Sequence, residues 1–178
     1  GNIPTTVLAV HGSTVPAGGA LTTGNVLQVT GAATLGYAPL NLGTAASITG
    51  LVVRNTATGS LAQDGLRCGG DFEANHCAFY GGPGSSTSGC RGILLNAGTL
   101  TLRYCYVQGG ATTNTTAKSH GFLGSPTVAG ALITLKAYWC ELRGGGVAGQ
   151  VTNANGVSGN YAGEYYFCKP DIFKATYE

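Results

Sequence analysis

A cysteine-centred pattern recurs four times in this chain and constrains its fold more than any other feature. The four segments are FEANHCAFYGG, LTLRYCYVQGG, LKAYWCELRGG and GEYYFCKPDIF, and their cysteines are Cys77, Cys105, Cys140 and Cys168. The interval from Cys77 to Cys105 equals that from Cys140 to Cys168, and the middle interval is somewhat longer. A repeat of this kind is typical of solenoids, in which every unit stacks on its neighbour.

Apolar residues within a unit alternate with polar ones, which predicts strands rather than helices. In the second unit they are Leu100, Leu102, Cys105 and Val107, at positions −5, −3, 0 and +2 relative to the cysteine. The extra residue before the cysteine predicts a bend between two short strands, each burying every second side chain. A glycine-led apolar segment, such as GILLNAG, precedes each unit and predicts a further strand. Glycine fills 31 of the 178 positions, which excludes long helices.

The cysteine positions predict one buried column of side chains. The upstream segment ITGLVVRNTAT fits the same pattern with Val53 in the cysteine position, and Val29 precedes Val53 by the same interval that separates Val53 from Cys77. We therefore expect a column formed by Val53, Cys77, Cys105, Cys140 and Cys168. We expect reduced thiols there, because bridging neighbours in the column would distort the strands.

Two further cysteines lie outside the pattern. Cys68 and Cys90 either form a disulfide or remain two free thiols, and we favour the free thiols. The chain has no C-x-x-C motif, and its three histidines, His11, His76 and His120, are scattered. We therefore expect no metal site and no cofactor.

The unit pattern, G-h-x-h followed by h-x-h-x-x-C-x-h-x-G-G, resembles the coils of right-handed parallel β-helix proteins, the pectate-lyase-like superfamily that includes phage tailspikes. The resemblance covers roughly residues 45–173. It implies an all-β fold, a short right-handed parallel β-helix (solenoid) of about five to six coils. The segment NVLQVTGAATLGYAPLNLGTAASITGLV resembles the Gly/Thr/Ala-rich segments of phage tail-fibre and head-fibre proteins. We therefore divide the chain into an N-terminal anchoring or capping segment, 1–45, and a β-helix domain with a C-terminal cap, 46–178.

Charged residues in the last two units support this register. The offset that separates Cys140 from Cys168 also pairs opposite charges at three positions that the pattern predicts to face solvent: Lys136 with Glu164, Glu141 with Lys169, and Arg143 with Asp171. Exposed pairs of this kind contribute about 0–1 kcal/mol each, so they define register more than stability.

Composition excludes several classes of partner. Only 9% of the residues are charged and the net charge is +2, so the chain lacks the clustered cations that nucleic-acid binding requires. It contains no apolar run of about 18 residues that could span a membrane. A low-charge surface favours packing against other copies, and the resemblance to phage fibres and spikes implies a homotrimer.

The sequence does not favour an enzyme. Many β-helix relatives cleave polysaccharides with acidic residues. Asp71 and Glu73 alternate on one strand and would be the catalytic pair of such an enzyme, but the whole chain has only seven carboxylates. Four tyrosines, Tyr80, Tyr106, Tyr138 and Tyr166, could stack on sugar rings or form a protein interface. At position −1, His76, Tyr104, Trp139 and Phe167 are predicted to form a structural ladder at the bend.

These features together favour a non-enzymatic phage virion protein, a capsid decoration (cement) or head-fibre protein. Its partners would be other copies of itself and capsid or tail proteins, within a virion assembled in the host cytoplasm. One alternative is a tailspike-like protein that binds or depolymerises surface polysaccharide. Another is a secreted β-helical adhesin, which would be extracellular.

Overall fold

The computed structural model describes residues 8–9, 26–29, 38–42, 46–85, 89–113, 119–127, 132–145, 157–159 and 162–166. Strands are the regular secondary structure of this part of the chain, which contains no helix. In chain order they are β1 (Leu8–Ala9), β2 (Val26–Val29), β3 (Leu40–Leu42), β4 (Ala46–Thr49), β5 (Val52–Asn55), β6 (Leu66–Cys68), β7 (Phe72–Asn75), β8 (Ala78–Tyr80), β9 (Ile93–Leu95), β10 (Gly98–Arg103), β11 (Tyr106–Gln108), β12 (Phe122–Gly124), β13 (Ile133–Tyr138), β14 (Glu141–Arg143), β15 (Val157–Gly159) and β16 (Ala162–Tyr166).

The strands form three sheets whose paired strands are all parallel. Sheet A contains β3, β6, β9, β12 and β15; sheet B contains β1, β4, β7, β10, β13 and β16; sheet C contains β2, β5, β8, β11 and β14. The chain visits A, B and C in turn, so neighbours within a sheet are three strands apart in sequence, as β7 and β10 are. This arrangement is a β-solenoid, which confirms the predicted all-β, parallel β-helix fold.

The number of coils differs slightly from the five to six predicted. Four successive coils, β3–β5, β6–β8, β9–β11 and β12–β14, contribute one strand each to sheets A, B and C, and β1, β2, β15 and β16 extend the sheets on both sides of these coils. The described strands of the N-terminal segment, β1, β2 and β3, pair with β4, β5 and β6. The anchoring or capping role of this segment stays a prediction.

The interior is built from the alternating positions of the repeat. Leu100, Leu102, Cys105 and Val107 are all buried, and the equivalent residues of the neighbouring coils are buried too. Sheet A adds the column of Leu66, Ile93 and Phe122. All these side chains belong to one continuous apolar cluster that runs through the coils. The period of two therefore places the core correctly in the three central coils.

The cysteine column is present where sheet B bends into sheet C. Cys77, Cys105 and Cys140 are buried and unbridged, as predicted, and Cys168 lies outside the described residues. The Cys105 backbone N donates to Cys140 Sγ at 3.4 Å. Burial raises the pKa of the Cys105 thiol well above its usual value. The remaining two thiols, Cys68 and Cys90, are also buried and unbridged.

The assignment of Val53 to this column was wrong. Val53 pairs with Phe79, two positions beyond the bend, so it belongs to the +2 column. Leu51 takes the position beside Cys77, and its carbonyl accepts a hydrogen bond from the Ala78 backbone N at 3.0 Å. Leu51 is buried in the same apolar cluster as the cysteines.

The error arises at the bend itself. Gly50, with φ of 68°, makes the turn that His76 makes in the next coil with φ of 49°. The segment ITGLVVRN has no cysteine or aromatic residue at the bend. Its alternating pattern therefore fits the repeat equally well when the bend is placed two residues later. The predicted continuation to Val29 was displaced in the same way: Leu27 pairs with Val53, whereas Val29 pairs with Asn55.

The corner that leads from sheet C to the next coil requires glycine. A Cβ added to Gly110 would lie 1.9 Å from the carbonyl oxygen of Gly82. A Cβ added to Gly145 would lie 1.9 Å from the carbonyl oxygen of Gly110. Consecutive coils thus touch backbone to backbone at this corner, which explains the Gly-Gly pairs that end the first three repeats.

Candidate functional site

The outer face of sheet B carries the most distinctive surface of the described residues. Its side chains alternate with those of the core and form columns across the coils. One column contains Glu73, Thr101, Lys136 and Glu164, and the next contains Asn75, Arg103, Tyr138 and Tyr166. A third column, at the bend, contains His76, Tyr104 and Trp139, and we call it the bend ladder.

The rings of the bend ladder are stacked along the solenoid. The His76 and Tyr104 rings have centroids 4.8 Å apart and planes 19° apart. Tyr104 and Trp139 have centroids 5.0 Å apart and planes 8° apart. The predicted structural ladder is confirmed for these three residues, and its fourth member, Phe167, lies outside the described residues. Tyr104 and Trp139 nevertheless remain 45% and 47% exposed.

All three residues of the bend ladder adopt a backbone conformation that large side chains rarely take. The φ angles of His76, Tyr104 and Trp139 are 49°, 52° and 52°. This left-handed conformation costs a non-glycine residue roughly 1–2 kcal/mol, whereas an aromatic pair gains about 0.5–1.5 kcal/mol from stacking. Stacking thus offsets much of the backbone cost. Gly50 shows that glycine also makes the turn, so the backbone alone does not require rings here.

A second aromatic stack lies beside the bend ladder. Tyr138 and Tyr166 have ring centroids 5.1 Å apart and planes 6° apart. The guanidinium carbon of Arg103 lies 4.5 Å from the Tyr138 centroid. The Tyr138 and Trp139 centroids are 6.4 Å apart, so the two stacks meet. Because its neighbours in the column cover Tyr138, this ring presents its edge to solvent.

Covered ring faces limit what the surface can bind. A sugar stacks on the face of an aromatic ring, but His76 and Trp139 cover both faces of Tyr104. The exposed part of the Tyr104 ring is therefore its edge, with the phenol hydroxyl. Glycan stacking at Tyr138 and Tyr166 stays a prediction.

Two of the four tyrosines proposed for an exposed interface do not belong to this surface. Tyr80 and Tyr106 lie on the outer face of sheet C, with ring centroids 5.5 Å apart, and they are 8% and 3% exposed. With Val52 and Ala78 they form a small buried cluster. An alternating pattern identifies the side of a strand but cannot reveal that the outer side is also covered.

Ion pairs on sheet B connect adjacent coils. Lys136 and Glu164 are in register, and Nζ lies 3.2 Å from Oε1, which confirms the predicted pair. Arg103 Nε lies 3.3 Å from Glu73 Oε1, a diagonal pair that the fixed offset between units did not predict. Both pairs are partly exposed and contribute about 0–1 kcal/mol each.

The other two predicted register pairs involve Lys169 and Asp171, which lie outside the described residues. Their described partners, Glu141 and Arg143, form an ion pair with each other on β14. Glu141 is buried, so its position does not face solvent as predicted. The physical reason is that the outer face of sheet C is packed at this column, where Ala78 and Tyr106 are buried as well.

The two candidate catalytic carboxylates both form hydrogen bonds or ion pairs with neighbouring residues. Asp71 is exposed, and its Oδ1 accepts a hydrogen bond from the Thr99 backbone N at 2.8 Å, which links two coils. Glu73 Oε1 accepts from Asn75 Nδ2 at 3.3 Å and pairs with Arg103. Among the described residues, no group of three or more His, Cys, Asp or Glu side chains could hold a metal ion.

A buried charge network was missed by the sequence analysis. Asp64 is fully buried, and its Oδ2 accepts from Arg67 Nε at 2.7 Å and from Arg91 Nη2 at 3.0 Å. The backbone N of Arg91 donates to Asp64 Oδ1 at 3.1 Å. Asn55 Nδ2 donates to the Asp64 carbonyl at 2.9 Å. Sequence periodicity gives no signal for such a corner, although the interval between Asp64 and Arg91 is close to that of the repeat.

Comparisons with known proteins give no further information about this surface. No known protein family matches the chain, and neither the curated proteins nor the solved structures yielded a match. Within the described ranges, no helix is both long and apolar enough to cross a membrane.

Proposed function

We propose that this chain is a structural protein of a phage particle, a capsid decoration (cement) or head-fibre protein, and that it is not an enzyme. The observation that carries the proposal is that the outer side chains of sheet B and its ends contact one another and neighbouring coils. Asp71 and Glu73 link neighbouring strands or side chains, while the rings beside them stack on one another. The surface is thus organised to hold coils together and to present a stiff aromatic face.

The build of the solenoid also supports a structural role. Backbone hydrogen bonds join coil to coil at the bends, as between Tyr104 N and the Tyr138 carbonyl at 2.9 Å. Only 9% of the residues are charged, so packing this surface against other subunits requires little desolvation of charge. Five cysteines among the described residues are buried and unbridged, which suits assembly in a reducing cytoplasm rather than secretion as an adhesin.

The polysaccharide alternative receives less support. Glycoside hydrolysis requires two carboxyl groups flanking a bond, one of them free to exchange a proton. Glu73 instead pairs with Arg103. Asp64 is buried between two arginines. The covered faces of Tyr104 and Tyr138 leave ring edges rather than a stacking platform.

Quantitative mass spectrometry of particles released by cells that carry the encoding genome tests the proposal. Hundreds of copies per particle are expected for a decoration protein, and a few dozen or fewer for a head fibre. Absence from purified particles would overturn the virion assignment. Hydrolysis or elimination of a capsular polysaccharide by the purified chain, lost in Glu73→Gln, would overturn the non-enzymatic part.

A further inference from the structure

The outer faces of sheets B and C differ sharply in exposure. On sheet C, Val52, Tyr80 and Tyr106 are at most 8% exposed. On sheet B and its bend, Tyr104, Trp139 and Tyr166 are 45%, 47% and 50% exposed. Large aromatic side chains exposed together mark interaction surfaces more often than isolated ones do. Stacking within the single chain explains how ring faces on sheet B are covered, but it does not explain why these large aromatic side chains remain about half exposed.

The composition of this face matches the anatomy of a protein interface. Its centre consists of tyrosine and tryptophan, which together with arginine are the residue types that dominate binding energy at such contacts. Its flank consists of ion pairs, with Lys136 beside Glu164 and Arg103 beside Glu73. Two acidic and two basic groups balance, so a second face of the same composition would meet no net repulsion.

Geometry distinguishes a protein partner from a sugar or a small planar ligand. In both stacks the rings cover one another's faces and expose edges along the solenoid axis. The centroid spacings are 4.8 and 5.0 Å in the bend ladder and 5.1 Å between Tyr138 and Tyr166. A partner that packs along these edges needs ridges with the same repeat, and another solenoid has them because its coils share the strand spacing of about 4.8 Å.

We infer that the face formed by Tyr104, Trp139, Tyr138, Tyr166 and Arg103 is the contact surface for a second copy of this chain, packed side by side with the two solenoid axes aligned. Such self-association would supply the multimeric form of the proposed virion protein, and in that respect it rests on the proposed function. Matching coil repeats would keep the two ring rows in step along the contact.

The single tryptophan of the chain allows a test without mutation. Purified protein is diluted over a wide concentration range, with mass followed by sedimentation velocity and Trp139 followed by emission and acrylamide quenching. Association is expected to shift the emission to shorter wavelength and to reduce quenching in step with the rise in mass. An oligomer in which Trp139 stays fully quenchable would overturn the inference. So would a monomer at concentrations of about 100 μM, which corresponds to binding weaker than about −5.5 kcal/mol.

Substitutions then identify the face. Trp139→Asn and Tyr104→Asn remove the rings while keeping a residue that tolerates positive φ. Each is expected to weaken self-association about 30-fold, the effect of losing an interface hot spot. Leu123→Ser is the matched control, because Leu123 is a partly exposed apolar residue on the outer face of sheet A and serine already stands at Ser158 in its column. Unchanged association in both ring variants, with circular dichroism intact, would also overturn the inference; if neither variant folds, the quenching titration decides.

Two further outcomes separate this inference from the proposed function. Particles containing many copies, combined with ring variants that still associate, would retain the virion role and reject this face as the contact. Loss of association in the ring variants, combined with absence from particles, would retain the contact and reject the virion role. A monomer whose Trp139 is protected only by an added oligosaccharide would reject the contact in favour of glycan binding.

Discussion

The Tyr104 phenol and the Trp139 indole lie almost parallel, with ring centroids 5.0 Å apart and an angle of 8° between their planes. Both residues have positive φ, so the stack forms at two backbone positions that disfavour large side chains. In each of these residues ring stacking stabilises the fold, while the left-handed backbone conformation destabilises it. Substitutions can separate the two contributions.

Tyr104→Ala is expected to be more destabilising than Tyr104→Gly. Both remove the two stacking contacts, which lowers the free energy of unfolding by about 1–3 kcal/mol in total. Alanine keeps the cost of the left-handed backbone, whereas glycine removes it, so we expect the glycine variant to be about 1 kcal/mol more stable than the alanine variant. Urea unfolding followed by circular dichroism measures the difference. Equal stability of the two variants would show that the strain at this bend is negligible.

Asp64→Asn is expected to destabilise the protein severely. The substitution leaves Arg91, which is buried, and Arg67 without their carboxylate. Breaking a buried ion pair from one side costs about 3–5 kcal/mol. Glu73→Gln is the control, since it removes a partly exposed pair worth about 0–1 kcal/mol. Thermal unfolding of both variants checks the ranking, and a similar loss in both would contradict the structural role of Asp64.

Gly110→Ala is expected to prevent correct stacking of two coils. Its new Cβ would meet the Gly82 carbonyl oxygen at 1.9 Å, far inside any allowed contact. The neighbouring backbone cannot yield without breaking coil-to-coil hydrogen bonds such as Gly110 N to the Cys90 carbonyl at 2.7 Å. Gly69→Ala, at an exposed glycine, should fold normally. Soluble yield and circular dichroism compare the two, and a well-folded Gly110→Ala protein would contradict the corner geometry.

Stability is expected to fall as the pH rises above about 8.5, the usual pKa of a free thiol. Burial raises the pKa of the Cys68 thiol, so this group stays protonated in the folded chain while it ionises in the unfolded chain. The stabilisation is therefore complete below the unfolded pKa and declines above it, by about 1.4 kcal/mol per pH unit for each such thiol.

Unfolding midpoints between pH 8 and 9.5 measure this effect below the range in which tyrosines ionise. Cys68→Ala should flatten the pH dependence, because it removes a thiol whose pKa is raised by burial. A slope that is the same in the variant and in the parent chain would show that Cys68 titrates normally in the folded state.

The sequence predicted those parts of the fold that repeat, and missed those that depend on single corners. Alternation around Cys77, Cys105 and Cys140 placed the core, the bend and the bend ladder. The same reasoning failed at Val53, since Gly50 makes the bend without a side chain that could mark it. Local periodicity predicts the register only where each coil has the same residue types at equivalent positions.

The candidate surface was predicted only in part, for a similar reason. Tyr138 and Tyr166 lie on the open face of sheet B, as an outward position suggests. Tyr80 and Tyr106 have equally outward positions on sheet C, yet both are buried. Whether a sheet face is covered depends on distant parts of the chain, and no spacing within a strand encodes it.

Because of the glycine corner, the rise of the solenoid per coil does not depend on the length of its loops. Between the coils β9–β11 and β12–β14, Phe122 pairs with Ile93 in sheet A and Leu135 pairs with Leu100 in sheet B, and the sequence interval is longer for the second pair. The additional residues between these strands leave the approach of Gly145 to Gly110 as close as that of Gly110 to Gly82. Insertions on that side can therefore change size and chemistry freely while the pitch of the rod stays constant, so its outline can diversify without any redesign of its interior.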